Sequence, residues 1–226
     1  MNYYSTNTMQ NAAAFAPAND RLVFIRRVYG IFFSSLLVTV VVGTFAAGMA
    51  NALRPYFMPI LVLNMVLGFV VAFTRRTTGL NVFMLYLFAA VQGLLFGPLL
   101  VMANQAAPGV PALAAILTLV TFGSLSMYAV VSGKDFSYLG GFLFMALIGL
   151  VVGGIVLMFM HFAFLSLLYS LGGVLIFSGF VLYDTSKILN RHTISEPITA
   201  AIALYLDFIN LFLFILQLLM NLNRRR

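Results

Sequence analysis

The 226-residue chain is 63% hydrophobic and only 8% charged, with a mean hydropathy of +1.08; soluble domains carry roughly 25% charged residues. This excludes a soluble globular domain and implies a polytopic membrane protein. Cysteine is absent, which removes disulfides, thiol catalysis and thiolate metal sites. The net charge of +7 would suit a nucleic-acid partner, but the basic residues sit at the ends of apolar runs, where lipid headgroups and topology account for them. No nucleic-acid partner is expected.

Met1 to Asp20 is polar and rich in Ala and Asn, and reads as a disordered tail. Arg21, Arg26 and Arg27 then precede an apolar run from Val28 to Ala50, too long for a signal-peptide core and without a clear cleavage site, so it remains as the first span. Six further runs follow: Pro55–Thr74, Leu80–Ala103, Pro111–Ser132, Phe136–Met160, Phe164–Leu189 and Ile198–Leu222. Each meets the requirement of about 20 residues for a spanning helix. The connections are short, so 21–226 reads as one all-α, seven-helix transmembrane domain.

Seven spans put Arg21, Arg26, Arg27, Arg75, Arg76, Lys134, Lys187 and Arg191 on one side, and Arg54, Arg224, Arg225 and Arg226 on the other. The excess of Lys and Arg places the N-terminus in the cytoplasm. A re-entrant last segment would move the terminal arginines to the cytoplasmic side, but Ala200–Leu222 lacks the breaker such a path needs. Gly93-xxx-Gly97 and Gly149-xxx-Gly153 are spaced for close backbone approach, within the bundle or in a homodimer. Oligomeric state stays open, a monomer included. Pro98 should kink the third span unless neighbours satisfy the freed carbonyl.

Two of the five acidic residues, Asp184 and Asp207, lie inside runs otherwise apolar enough to cross a bilayer. A charge near the bilayer centre costs roughly 2.5–3.5 kcal/mol even on the lenient insertion scale, so such a carboxylate is a functional-site hypothesis. The linker Asn190–Pro197 makes the last two helices antiparallel neighbours. Asp184 is about five residues and Asp207 about nine from that shared boundary, or ~8 and ~14 Å at ~1.5 Å per residue. Two side chains and a modest tilt can bridge this difference. Asp207, Asn210, Gln217 and Asn221 also share a stripe of roughly 80° on the last helix, which should face the bundle. Plainer readings are an Asp184–Lys187 pair at i+3 and an Asp207 bonded to Tyr183 or Asn210.

The segments Ser178-Gly-Phe-Val-Leu-Tyr-Asp-Thr-Ser-Lys-Ile-Leu189 and Ala203-Leu-Tyr-Leu-Asp-Phe-Ile-Asn-Leu-Phe212 resemble the signature region of the Bax inhibitor family. Lys134-Asp-Phe-Ser-Tyr-Leu-Gly-Gly-Phe-Leu143 is a second match, and the resemblance covers most of the chain after the tail. It is to bacterial-type members, and it implies a seven-helix bundle in the inner (plasma) membrane with the last helix central. It also implies a calcium leak regulated by pH, with Asp184 and Asp207 as the sensor, ion gate and metal ligands. In some members an arginine near the cytoplasmic end of the second helix interacts with that pair, a position matched by Arg75 or Arg76 as a latch. Some members carry an acid in the second helix, where this chain has Asn64.

Around the pair, Tyr183, Lys187 and Asn210 are supporting polar candidates. Arg191, His192, His161 and Asp135 read as boundary or loop groups, with His192 also placed to tune the sensor. No cofactor is expected beyond Ca2+ as the transported or bound ion. Three classes of function follow. A pH-regulated calcium leak fits the pair and the resemblance, whereas a membrane protein that modulates a membrane protease or stress-response partner would suit the tail. Proteolysis fits poorly, because aspartyl intramembrane proteases place their second aspartate after Gly-x-Gly and this chain has Leu204-Tyr-Leu-Asp207.

Overall fold

In the computed structural model, residues 17–74, 79–159, 162–191 and 196–224 are described. Among them there is no strand, and seven helices are long and apolar enough to cross a membrane. They are α1 (Ala18–Gly48), α2 (Phe57–Thr74), α3 (Leu80–Ala106), α4 (Val110–Ser132), α5 (Gly140–Phe159), α6 (Ala163–Asn190) and α7 (Pro197–Asn223). Their bounds follow the apolar runs, since length and hydropathy dictate both. The largest departures are at three ends: α5 starts at Gly140 after a 3-10 turn over Ser137–Leu139, α3 extends to Ala106, and α1 already starts at Ala18, so Ala18–Asp20 belong to a helix rather than to the tail. Pro17, with φ −50° and ψ 143°, precedes that start, and Asp20 in the first turn complements the positive end of the helix dipole. Met1 to Ala16 of the expected tail lie outside the described residues.

A helical turn, Ala50–Leu53, and a 3-10 turn, Arg54–Tyr56, join α1 to α2. Gly109 (φ 81°) and Gly133 (φ 61°) bracket α4 in the left-handed region, which a residue without Cβ enters at no steric cost. α3 runs through Pro98 as one helix.

The chain divides into two compact units, one of residues 1–106 with 193–205, the other of 107–192 with 206–226. In the first, α1 packs chiefly along α3. A Cβ added at Gly93 would lie 2.7 Å from the Thr39 carbonyl oxygen, and one at Gly97 would lie 2.5 Å from the Ala47 nitrogen. The Gly93-xxx-Gly97 spacing is therefore used for backbone contact within this chain. By contrast a Cβ at Gly149 would meet nothing within 4 Å, and one at Gly153 only the Tyr169 ring at 3.4 Å. Thr39 donates to or accepts from the Tyr205 hydroxyl at 2.7 Å and also reaches the Ala89 carbonyl at 3.0 Å, while the Tyr205 ring packs edge-on to Phe88.

In the second unit α4 and α5 pack on α6. Phe208 of α7 meets Phe122 edge-on, and Phe214 lies between Tyr169 and Phe177. Half of the apolar window of α7 and 56% of that of α3 are buried, against 11–28% in the other five spans. The exposed faces of those five carry large apolar side chains such as Phe45, Phe69, Phe142 and Phe159, the surface a lipid-immersed protein presents.

Candidate functional site

The two aspartates project from α6 and α7 within one unit, and their carboxyl groups lie within hydrogen-bonding reach of each other. Asp207 is 4% exposed and its Oδ2 has no protein partner among the described residues, whereas Asp184 is half-buried. Lys187, one turn along α6, is close enough for its charge to act on Asp184. Its Nζ also sits 5.3 Å from the Tyr183 ring centroid. The Tyr183 ring in turn covers Gly140, where a Cβ would fall 2.9 Å from the ring edge.

Asn210 donates one N–H of Nδ2 to the Leu206 carbonyl one turn back at 2.8 Å. Farther along the same stripe Asn221 bonds to Ser166 and Ser170, and Gln217 with Asn221 lines a cavity of about 500 Å3 near the start of α6. Arg75, Arg76, His161, His192, Arg225 and Arg226 lie outside the described residues.

Chemically, two carboxyls within reach of each other either share a proton in a hydrogen bond or, both ionised, repel and present hard oxygen ligands. Among the described residues no group of three or more His, Cys, Asp or Glu side chains gathers to hold a metal. Asp184 and Asp207 alone give a cation too few ligands, as Ca2+ takes 6–8 oxygens and would need carbonyls, amides and water besides.

One cluster escaped the sequence reading. The hydroxyl of Ser186, two residues past Asp184 and fully buried, accepts from the Phe136 amide at 2.9 Å and donates to the Lys134 carbonyl at 3.1 Å. Beside it Arg191 donates from Nη2 at 2.8 Å and from Nε at 3.2 Å to Asp135 Oδ2, while Ser137 bonds to Oδ1 through its hydroxyl and, at 2.9 Å, its amide. These bonds from Ser137, with the guanidinium next to it, hold the Asp135 carboxyl down at about 2. Asp135 and Arg191, read as ordinary loop and boundary charges, are thus partners 56 residues apart. The available signal was the Lys134–Leu143 motif itself.

Seven apolar helices, two of which carry neighbouring aspartates, define an integral membrane protein. Comparison with known proteins narrows the class. The family described as "Inhibitor of apoptosis-promoting Bax1" matches residues 21–225, and the chain belongs to this Bax inhibitor family. It is 35% identical to an uncharacterised protein of Campylobacter jejuni over 92% of each chain. It is 34% identical to Bax inhibitor 1 of Schizosaccharomyces pombe over 88% of this chain and 76% of that one. Protein lifeguard 4 of Mus musculus is 30% identical over 95% of this chain and 92% of its own.

Proposed function

We propose that the protein is a pH-regulated calcium leak of a bacterial inner membrane, without enzymatic chemistry, and that Asp184 and Asp207 are its gate. One observation carries this reading: the two carboxyls reach each other inside spanning helices, and one oxygen of the buried member lacks a partner among the described residues. A proton shared between them ties α6 to α7. Its loss leaves two like charges in a low-dielectric setting, which loosens the helix contact and offers oxygens to Ca2+. The equilibrium between the closed and open states then follows pH, and flux rises as pH rises. Ca2+ is the cargo here, and α7, half buried and polar along one stripe, is the helix its path follows. Arg75 or Arg76 acts as a latch on the pair from the cytoplasmic end of α2, with the N-terminus in the cytoplasm.

The test is calcium entry into proteoliposomes as a function of external and internal pH. Flux that increases with pH in the wild type and loses that dependence in Asp207→Asn supports the reading; wild-type vesicles no leakier than empty ones refute it. A second reading rests on relatives named for apoptosis, Bax inhibitor 1 and a Golgi anti-apoptotic protein of Vaccinia virus. In it the chain binds and modulates a membrane protease or stress-response partner and conducts nothing. Deleting residues 1–16 should abolish such a partner role while leaving ion flux in liposomes intact.

A further inference from the structure

A cavity of about 750 Å3 lies within the first unit, between the Ala50–Met58 stretch and the last turns of α3. Its lining is graded. Asn51, Arg54 and Gln105 stand at the end of the spans, and Met58, Met102 and Leu99 lie farther in. From Gln105 to Leu99 the helix descends ~9 Å at ~1.5 Å per residue. Arg54 makes no ion pair or side-chain hydrogen bond with any described residue, and no acidic residue is among those that line the cavity.

A cation over an apolar trough has the polarity of a lipid turned inside out. We infer that this cavity seats an anionic phospholipid of the surrounding leaflet, its phosphate on the Arg54 guanidinium and an acyl chain along Met58, Met102 and Leu99. The planar guanidinium matches phosphate oxygens in a way a point charge does not. The absence of a lining carboxylate sets the preference. A zwitterionic lipid would bring an ammonium that finds no described counter-charge, whereas an anionic headgroup leaves nothing unmatched. The trough is open along this side, Met58 and Met102 being 67% and 56% exposed, and methionines suit it, since their unbranched thioethers adapt to chains of differing length and saturation.

The chain has no tryptophan, so Met102→Trp supplies the sole indole for a quenching experiment in vesicles. Mixed phosphatidylglycerol and phosphatidylcholine vesicles would carry brominated acyl chains on one lipid at a time. Brominated phosphatidylglycerol should be enriched at the indole by roughly fivefold over brominated phosphatidylcholine, the preference one charge near a surface commands. Arg54→Gln should erase that preference, and a control Val151→Trp on α5, as exposed as Met102 (58% against 56%) but not among the residues that line the cavity, should show none. Equal quenching by both lipids, or a preference that survives Arg54→Gln, overturns the proposal. Preference abolished by millimolar inorganic phosphate would assign the site to a free anion instead and equally refute the lipid. Should Met102→Trp fail to fold, Met58→Trp reports from the same wall.

Discussion

On the proposed reading Asp207 is the central side chain: it is 4% exposed and its Oδ2 has no partner among the described residues. An amide in its place can donate permanently to Asp184, so Asp207→Asn should remove most of the pH response of calcium flux, as should Asp184→Asn. The double variant should add little beyond either single one, since groups that titrate as a unit are not additive. Both single variants keeping the wild-type profile would make the pair structural. Tyr205 offers a contrasting case two residues away. Among the described residues its hydroxyl bonds to Thr39 at 2.7 Å, in a fully buried place, so Tyr205→Phe should leave flux unaltered and cost about 1–3 kcal/mol through the donor or acceptor left behind. Thermal unfolding in detergent measures that cost.

At the scale of elements, the spans were legible because about 20 apolar residues are needed to cross a bilayer and the runs end where polar residues begin. What was not legible was which small residues touch. Gly97 and Gly149 each belong to a Gly-xxx-Gly pair, yet only the first faces a backbone, so Gly97→Ala should cost about 1–3 kcal/mol and Gly149→Ala close to nothing. Melting temperatures of the two variants decide it. The pairing of Asp184 with Asp207 could be argued from a short linker, whereas Asp135 and Arg191 could not be paired, since a loop aspartate beside a lysine already has a local explanation. Asp135 and Arg191 are 44% and 59% exposed, so the pair is worth only about 0.2–1 kcal/mol. With the Asp135 carboxyl lowered from 3.8 to about 2, this contribution is full above pH 4 and fades as pH falls toward 2. A double-mutant cycle with Asp135→Asn and Arg191→Gln, run at pH 7 and at pH 2, should find the coupling only at the higher pH. Ser186→Ala should be the costlier change, for it strands the Phe136 amide and the Lys134 carbonyl at the end of the helix that carries Asp184.

For the molecule as a whole, the lysine and arginine count predicts that Met1 and Lys134 face the cytoplasm and Arg226 the opposite side. Single cysteines introduced at these positions into the cysteine-free chain, labelled from one face at a time, test the assignment directly. Cytoplasmic labelling at position 226 would replace the seventh span by a re-entrant one. The buried Tyr205–Thr39 bond joins residues 166 apart, and it has a consequence for how the protein is made. Helices α1 to α3 leave the ribosome early, but the tyrosine that closes the space beside Thr39 and Phe88 arrives only with the last span. Throughout synthesis the first unit therefore waits, inserted but unfinished, with a polar hydroxyl and a ring-sized gap open to lipid or to a protease. In a pulse-chase comparison, a chain stopped at Asn190 should disappear faster than the full-length protein, which would make arrival of the last helix the signal that the molecule is complete.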